Sequence, residues 1–366
     1  MRVLVVNAGS SSLKLRVLDE SDNVTGAADL PAPRGAADAE AVGSALASLG
    51  DADAVGHRIV HGGTSFTAPV RIDDGVLARL RALTDLAPLH QPKSLAGVAA
   101  VQKALPGLPG VACFDTAFHA TIPAAAATYA LPREWRQRWA LRRYGFHGLS
   151  HAYCSRRAAE LADGARRIVT CHLGAGASLA AVRDGVSVDT TMGFTPLEGL
   201  VMATRSGSVD PGLVLWLEEH AGVPPAELAA ALERRSGLLG LAGTADMREV
   251  VAGAAAGGHD ARLALDVYTH RLRAGIAAMA AALGGLDVLV FTGGVGENSP
   301  AVRSAAGGGL GFLGVRLDAR RNAADGPAAD REIGQPGAPV RSFMIAARED
   351  IEIARQVRAV LAADGR

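Results

Sequence analysis

Residues 2–17, RVLVVNAGSSSLKLRV, carry the pattern around which the rest of the chain is organised. Residues 2–6 are mostly apolar, residues 7–12 form a run of small residues, and residues 13–17 alternate between apolar and basic side chains. This pattern predicts two strands joined by a turn. The turn offers backbone N–H groups, hydroxyls and an amide, and Lys14 follows it, which is the chemistry that a phosphate needs. Glycine and serine mark turns of every kind, so an ordinary serine-rich hairpin is the alternative.

Composition and charge exclude several classes of protein. The chain has 366 residues, of which 49% are hydrophobic, and its formal net charge is +0. The length predicts two domains or one large one with a sizeable core. The balanced charge argues against a nucleic-acid or membrane-surface partner.

Cys113, Cys154 and Cys171 lack motif spacing, which predicts reduced thiols in a cytoplasmic protein. The chain enters a strand at once and has no long apolar run, so we expect neither a signal peptide nor a membrane span.

Residues 168–182 repeat the pattern of the opening hairpin. A shift of 165 residues brings Val3 onto Ile168 and Gly9 onto Gly174. Two copies of one phosphate-binding hairpin predict a nucleotide between two similar domains. The alternative is that the two hairpins are unrelated.

A third glycine-rich segment covers residues 293–298, GGVGEN, between a predicted buried strand and a helix. Ser299 is suited to cap that helix, and Pro300 to occupy its first position. A strand, a glycine-rich turn and a helix N-terminus suit a nucleotide or phosphate, although the glycines could also serve tight packing alone. The chain lacks a Walker loop, a complete G-x-G-x-x-G, H-E-x-x-H and G-x-S-x-G, which disfavours P-loop enzymes, protein kinases and simple Rossmann dehydrogenases.

Seven motifs follow one another in order along nearly the whole chain. They are NAGSSSLK (7–14), GHRIVHGG (56–63), FDTAFH (114–119), YGFHG (144–148), HLG (172–174), GFTPLEG (193–199) and FTGGVGEN (291–298). With these motifs, in this order and spacing, the chain resembles the acetate and propionate kinase family.

The resemblance implies a fold of the α/β class. We expect two duplicated ribonuclease H-like (actin-like ATPase) domains with mixed sheets flanked by helices and a nucleotide in the interdomain cleft. The expected N-terminal domain comprises residues 1–121 and 350–366, and the expected C-terminal, nucleotide-binding domain comprises residues 122–349. The resemblance also implies a homodimer that reversibly converts ATP and acetate into ADP and acetyl phosphate. Mg²⁺ is the expected metal, with Mn²⁺ as an alternative.

The resemblance assigns the catalytic roles to four residues. Arg58 and Arg205 bind the carboxylate and the phosphoryl group from opposite sides, and the bidentate guanidinium fork suits that task. His147 stabilises the transition state. Asp115 orders metal-bound water or orients an arginine, and no base is needed because the substrate carboxylate is already ionised at neutral pH.

The resemblance also assigns the binding residues. Asn7 and Glu349 are the expected metal ligands, although Glu349 could instead complement a helix dipole. The expected acyl pocket is formed by Val60, Leu89, Phe146 and Pro196. The expected nucleotide contacts are Asn7, Ser10, Ser12, Lys14, His172, Leu173, Gly174, Ala175, Gly176, Asp246, Met247, Arg248, Gly294, Val295, Gly296, Glu297 and Asn298. We interpret His57, His61, His119 and His151 as core or supporting residues.

Three departures from the family pattern bear on function. Ala175 stands where an asparagine is usual, which removes one phosphate hydrogen bond. Residues 89–94 and the acidic pair at Glu349 also differ from the usual sequences. A kinase that prefers propionate or butyrate is therefore an alternative, and an actin- or chaperone-like ATPase module is a more remote one.

Overall fold

The structure, a computed structural model, describes residues 1–9, 12–31, 39–88, 90–324 and 330–364. The chain divides into two compact units. The first unit comprises Met1–Ala120, Phe146–Tyr153 and Arg348–Arg366, and the second comprises Thr121–Gly145 and Cys154–Ala347. The domain boundaries expected from the sequence stay a prediction.

The first unit contains a mixed six-stranded sheet of order β3-β2-β1-β4-β6-β5. Strands β1, β4 and β6 run parallel, whereas β2, β3 and β5 pair antiparallel to their neighbours. The strands are β1 (Val3–Ala8), β2 (Ser12–Leu18), β3 (Val24–Pro31), β4 (Ala54–Ile59), β5 (Val70–Arg71) and β6 (Gly110–Phe114).

The second unit repeats this topology in a sheet of order β9-β8-β7-β10-β12-β11. Each strand has the same rank and pairing direction as its counterpart in the first unit. The strands are β7 (Arg167–Leu173), β8 (Ala177–Arg183), β9 (Val186–Thr190), β10 (Val288–Thr292), β11 (Arg331–Glu332) and β12 (Arg341–Met344). The predicted α/β class with duplicated mixed sheets is therefore confirmed.

The two hairpins differ by one residue in register. Asn7 lies opposite Lys14, whereas His172 lies opposite Ser178 and not Leu179. In the first hairpin the last paired residues are Ala8 and Leu13, with residues 9–12 between them. In the second hairpin they are Leu173 and Ala177, with only residues 174–176 between them. Turn length sets hairpin register, so the shorter second turn moves the pairing by one position.

Helices flank both sheets. Among the described residues the α-helices are α1 (Ala39–Ser48), α2 (Asp74–Ala82), α3 (Gln91–Ala104), α4 (Ala124–Ala127), α5 (Arg133–Trp139), α6 (Gly148–Leu161), α7 (Pro211–Glu219), α8 (Pro225–Arg234), α9 (Gly237–Ala242), α10 (Met247–Ala255), α11 (His259–Leu283), α12 (Gly293–Asn298), α13 (Pro300–Gly308), α14 (Ala319–Ala323) and α15 (Glu349–Asp364). Short 3₁₀ helices cover Thr84–Leu86, Ala117–Thr121 and Gly311–Leu313. None of the helices described is both long and apolar enough to cross a membrane.

The glycine-rich segment 293–298 is a helix and not the turn that its glycines predict. Gly293 has a φ of +77°, and a Cβ there would lie 2.8 Å from the Leu173 carbonyl oxygen. Packing against β7 therefore requires glycine at this position. This agrees with the alternative that the glycines of the segment serve tight packing. The Ser299 hydroxyl accepts a hydrogen bond from the Val302 N–H and caps α13, as predicted.

The first sheet is buried on both faces, which explains the apolar run of β1. Val5 faces α15, where it shares a core cluster with Ile353. Leu4 faces the opposite side and shares a cluster with Val101 of α3. Burying each such side chain stabilises the fold by about 1.5–3 kcal/mol. Helix α15 lies so close that a Cβ at Gly56 would be 2.4 Å from Ile353 Cγ2.

Candidate active site

A cluster of polar side chains lies at one edge of the first unit's sheet. Asn7 is on β1, Arg58 is on β4, Asp115 directly follows β6, and Glu349 begins α15. Because β1, β4 and β6 are parallel neighbours, their carboxyl ends meet at the same edge. Open α/β sheets bind ligands at that edge. The topology therefore brings together residues that are more than 300 positions apart in sequence.

Arg58 is the centre of this cluster. Its Nε donates to both carboxylate oxygens of Asp115 at 3.1 Å, and its Nη2 donates to Asp115 Oδ2 at 2.7 Å. Its Nη1 donates to Asn7 Oδ1 at 3.1 Å. A guanidinium has five N–H donors. Within the described residues these contacts use three of them, and one N–H on Nη1 and one on Nη2 remain for the oxygens of a ligand. That remaining pair matches a carboxylate or phosphoryl group.

Glu349, and not Asp350, reaches the cluster. The Asn7 amide donates to Glu349 Oε2 at 2.9 Å, and Arg58 Nη1 lies 3.9 Å from the same oxygen. Asp350 instead pairs with Arg348 at 2.9 Å. If Glu349 only complemented the dipole of α15, it would not need to contact Asn7 and Arg58.

The cluster contains two carboxyl groups, those of Asp115 and Glu349, and one guanidinium, that of Arg58. Burial raises the pKa of the Asp115 carboxyl, and the Arg58 guanidinium opposes that effect. Burial alone would lower the pKa of Arg58, but Asp115 and Glu349 raise it. No group of three or more His, Cys, Asp or Glu side chains in the described ranges could hold a metal by itself. Two carboxylates and an amide oxygen fit Mg²⁺, which keeps several waters.

His147 has a left-handed backbone, with a φ of +57°. It directly precedes α6, where the Gly148 N–H donates to the Asp115 carbonyl oxygen at 2.9 Å. A Cβ at Gly148 would lie 2.2 Å from that oxygen, so only glycine fits. A histidine with positive φ carries backbone strain, which is common at functional sites. The fold therefore holds His147 beside the segment that carries Asp115.

All four predicted supporting histidines, His57, His61, His119 and His151, are buried. Burial lowers the pKa of His57, His61 and His119 to about 4 each. His119 Nε2 lies 3.0 Å from the Phe146 carbonyl oxygen, and the His61 ring meets the Phe146 ring edge-on at 5.5 Å. His61 and His119 thus contact the residue that precedes His147.

The predicted acyl-pocket residues fall in different parts of the structure. Val60 and Phe146 are buried in the first unit. Pro196 belongs to the second unit, and Leu89 lies outside the described residues.

The first hairpin presents Lys14 to solvent directly opposite Asn7. Directly opposed residues of antiparallel strands share one face of the sheet. The Gly9 N–H donates to the Ser12 carbonyl oxygen at 2.8 Å and closes the turn. Ser10 lies outside the described residues.

The second unit contains a pocket of about 880 Å³, a volume typical of sites for drug-sized ligands. Many residues predicted to contact a nucleotide line it, namely Gly174, Ala175, Asp246, Met247, Arg248, Gly294, Val295 and Asn298. Sequence reasoning missed the other lining residues, which are Ala203, Thr204, Leu238, Ala245, Val251, Tyr268, Ser299, Pro300 and Ala301. Most of the missed residues are small or apolar and carry no chemical signature.

Several predicted contacts lie outside the lining of this pocket, namely His172, Leu173, Gly176, Gly296 and Glu297. Leu173 is fully buried in the core. The Glu297 carboxylate accepts hydrogen bonds from the Gly293 N–H at 3.0 Å and the Ala347 N–H at 2.9 Å. Glu297 thus ties the start of α12 to the segment that leads to Glu349.

One wall of the pocket is formed by the start of α10. Asp246 caps this helix by accepting from the Arg248 N–H at 2.8 Å. The Arg248 side chain also pairs with Asp246 and is 89% exposed. Hydrogen bonds from Arg248 lower the pKa of Asp246 to about 2. This part of the pocket therefore offers a carboxylate and a solvent-accessible cation.

Arg205, in the second unit, differs from Arg58 in its surroundings. Its Nη1 donates to the Pro196 carbonyl oxygen at 3.3 Å. It is half-buried, and burial lowers its pKa. Across the part of the chain that the structure describes, Arg205 makes no ion pair. The charge of Glu233 acts on Arg205 and raises its pKa, but Arg205 forms no ion pair with it. Among the described residues Arg205 is thus a half-buried guanidinium without an ion pair, which is suited to bind an anionic ligand.

Comparison with known proteins gives consistent matches. The model of the Acetokinase family matches residues 39–355. The acetate kinase of Deinococcus deserti is 47% identical over 400 residues, which cover 99% of this chain and 98% of that protein. The solved structure of Porphyromonas gingivalis acetate kinase has a TM-score of 0.89 at 37% identity, covering 98% of this chain and 99% of that one. A propionate kinase structure from Francisella tularensis has a TM-score of 0.89 at 34% identity, with 98% and 100% coverage. These matches confirm the predicted actin-like fold.

Proposed function

The chain belongs to the Acetokinase family, and on this premise we propose that it is an acetate kinase. It transfers the terminal phosphoryl group of ATP to acetate, giving acetyl phosphate and ADP, and it also catalyses the reverse reaction. The observation that carries this proposal is the Arg58 cluster, in which Asp115 and Asn7 orient the guanidinium and leave two N–H donors for an oxygen ligand.

The reaction needs positioning and charge stabilisation more than proton transfer. A carboxylate of ordinary pKa is ionised at neutral pH, so its oxygen attacks the γ-phosphorus directly. The bond between the γ-phosphorus and the bridging oxygen breaks, and ADP leaves with the electron pair. Arg58 binds and orients the incoming oxygens, while Arg205 stabilises the charge of the transferring group. His147 donates a hydrogen bond to a phosphoryl oxygen in the transition state.

Mg²⁺ is the proposed metal, with Mn²⁺ as an alternative. Glu349 and Asn7 would hold it, and Asp115, which holds Arg58, would reach it through a water. The carboxylate and amide oxygens of the cluster support this assignment. When bound, the ion neutralises charge on the phosphate oxygens.

The nucleotide is proposed to bind the pocket of the second unit. Its volume and its mixture of apolar and polar lining support an adenosine site. Asp246 is the proposed partner of the ribose hydroxyls, and Gly294, Val295 and Asn298 are the proposed contacts of the adenine and ribose. Lys14 and the turns at residues 9–12 and 174–176 are the proposed contacts of the phosphates.

The acyl chain length is the least constrained part of the proposal. Val60, Leu89, Phe146 and Pro196 are the proposed acyl contacts. Because one related structure is a propionate kinase, a preference for propionate or butyrate is the second candidate. One methylene group in a hydrophobic pocket changes specificity by only about 1–3 kcal/mol, so overlapping activities are expected. A homodimer is also proposed from the family resemblance, and a cytoplasmic location from the three cysteines, which lack motif spacing.

A hydroxamate assay tests the proposal. Purified protein with magnesium and ATP is incubated with acetate, propionate or butyrate, and the acyl phosphate is trapped with hydroxylamine. We expect hydroxamate from acetate, and kcat/KM across the three acids gives the preferred chain length. No hydroxamate from any acid would contradict the proposal, and slow ATP hydrolysis unaffected by acetate would favour the remote ATPase alternative.

A further inference from the structure

The segment 193–199, GFTPLEG, folds back on itself in the second unit. The Glu198 carboxylate returns to the start of the segment, where a Cβ at Gly193 would lie only 1.8 Å from Glu198 Oε2. The same Cβ would lie 2.2 Å from the Tyr129 hydroxyl oxygen. Gly193 is therefore required by the close approach of these two side chains, and Pro196 lies in the bend between Gly193 and Glu198.

Tyr129 and Arg143 hold the Glu198 carboxylate from two sides. The Tyr129 hydroxyl donates to Glu198 Oε2 at 2.5 Å, and Arg143 Nη2 donates to Glu198 Oε1 at 2.6 Å. Both carboxylate oxygens thus have a donor. The Arg143 guanidinium also lies 5.6 Å from the centre of the Tyr129 ring. Tyr129, Arg143 and Glu198 form a single hydrogen-bonded group, which we call the Glu198 cluster.

The Glu198 cluster also binds the backbone of the segment. The Phe194 N–H donates to the Tyr129 hydroxyl at 2.9 Å, and Arg143 Nη1 donates to the carbonyl oxygens of Thr191 and Met192 at 3.0 Å each. The cluster therefore fixes the residues before the bend as well as Glu198 after it.

The bend in turn contacts Arg205. The Pro196 carbonyl oxygen accepts the hydrogen bond from Arg205 Nη1 at 3.3 Å. Because Arg205 has no ion pair in the described ranges, this carbonyl is the group that orients its guanidinium. A displacement of Pro196 would move both a proposed acyl contact and a proposed phosphoryl-binding cation.

We propose that Tyr129, Arg143 and Glu198 are positioning residues that hold the 193–199 segment, and through it Pro196 and Arg205, in the geometry needed for phosphoryl transfer. The proposal rests on the proposed acetate kinase activity. The side chain of Arg143 is 16% exposed and that of Glu198 is 35% exposed, so the pair is partly shielded from solvent. Charge-assisted hydrogen bonds of this kind are about twice as strong as neutral ones.

Tyr129→Phe and Glu198→Gln are the test variants, because each removes one element of the cluster while nearly conserving shape. Misplacing a reacting group by about 1 Å can cost about 100-fold in rate. We expect kcat to fall 10- to 100-fold or so in each variant, with a raised KM for acetate. ADP affinity should stay within about twofold of wild type, because the cluster lies outside the lining of the nucleotide pocket. Glu227→Gln, which breaks an exposed pair with Arg235, is the matched control and should leave all three values unchanged.

Amide hydrogen exchange of residues 193–199 without substrates gives a second readout. We expect faster exchange in both test variants and wild-type exchange in Glu227→Gln. Wild-type kinetics with wild-type exchange would overturn the proposal, even if the melting temperature of the variant were lower. If the wild-type enzyme has no kinase activity, the proposed function fails, and the exchange data still decide whether the cluster holds the segment.

Discussion

Arg58 and Asp115 form a pair in which two guanidinium nitrogens meet one carboxylate, with Nη2 and Oδ2 2.7 Å apart. The Asp115 side chain is only 1% exposed. A carboxylate buried to this degree depends on its partner, because an unpaired buried charge is costly. The pair therefore links the proposed chemistry to the stability of the first unit.

Arg58→Leu should both abolish acyl phosphate formation and destabilise the protein. Removing one partner of a buried pair costs about 3–5 kcal/mol. The double variant Arg58→Leu/Asp115→Leu should recover more than half of the lost unfolding free energy and remain inactive. Urea denaturation followed by circular dichroism measures both values. A double variant no more stable than Arg58→Leu would show that Asp115 does not depend on Arg58.

Arg205 should behave differently, because it forms no ion pair with any carboxylate in the described part of the chain. We expect Arg205→Leu to lower kcat by about 1,000-fold or more, as removal of a charge-stabilising arginine does in other phosphoryl-transfer enzymes. Its melting temperature should stay close to that of the wild type. Arg205→Lys retains the charge but not the fork, so it should recover only part of the rate. Near-wild-type kcat in Arg205→Leu would remove this residue from the mechanism.

The two hairpins could be predicted from the sequence because their patterns are local, whereas the fold of two duplicated mixed sheets followed from the family resemblance. The apolar run and alternation of residues 2–17, and their repetition after residue 167, require only strand periodicity and a short turn. The register of the second hairpin could not be predicted in this way. It depends on how many residues the turn at 174–176 uses, and this differs from the first turn.

The candidate site was predicted in composition but not in geometry. Motif matching indicated Asn7, Arg58, Asp115 and Glu349 individually. The resemblance left open whether Asp115 orders metal-bound water or orients an arginine. That Asp115 holds Arg58, and that Glu349 contacts Asn7, depends on contacts across the sheet edge. Glu297 carries no sequence signal that distinguishes a nucleotide contact from its observed hydrogen bonds to two backbone N–H groups.

His147→Gly should separate the backbone strain of this residue from its chemistry. A left-handed backbone costs about 1–2 kcal/mol for a residue with a Cβ and little for glycine. We therefore expect His147→Gly to be more stable than His147→Ala by about 1 kcal/mol. Both variants should lose kcat to the same extent, since each lacks the imidazole. If urea denaturation gave the two variants equal stability, the backbone at residue 147 would not be strained.

Stability should fall in mild acid because of the buried histidines. His57 has a folded-state pKa of about 4, below the ordinary value of 6.5, because burial disfavours its charged form. Its unfolded state therefore takes up a proton as the pH falls through 6.5, and stability is lost progressively until the pH passes the folded pKa of about 4. The pKa difference corresponds to about 3 kcal/mol for this group.

His57→Gln should accordingly reduce the loss of unfolding free energy between about pH 7 and pH 4 by about 3 kcal/mol. Denaturant titrations at a series of pH values measure this slope. His259→Asn is the control, because the His259 side chain is 89% exposed, and it should retain the wild-type slope. An unchanged slope in His57→Gln would show that His57 does not cause the acid sensitivity.

Ala175→Asn should strengthen nucleotide binding. Ala175 lines the pocket of the second unit and is exposed to it at the turn between β7 and β8. An amide at this position adds one donor for a phosphate oxygen, and a single hydrogen bond contributes about 0.5–1.5 kcal/mol. We therefore expect the KM for ATP to fall by about two- to tenfold, with the KM for acetate unchanged. Ala175→Val adds bulk without a donor and should not lower the KM for ATP. A fall of equal size in both variants would attribute the effect to packing instead of a hydrogen bond.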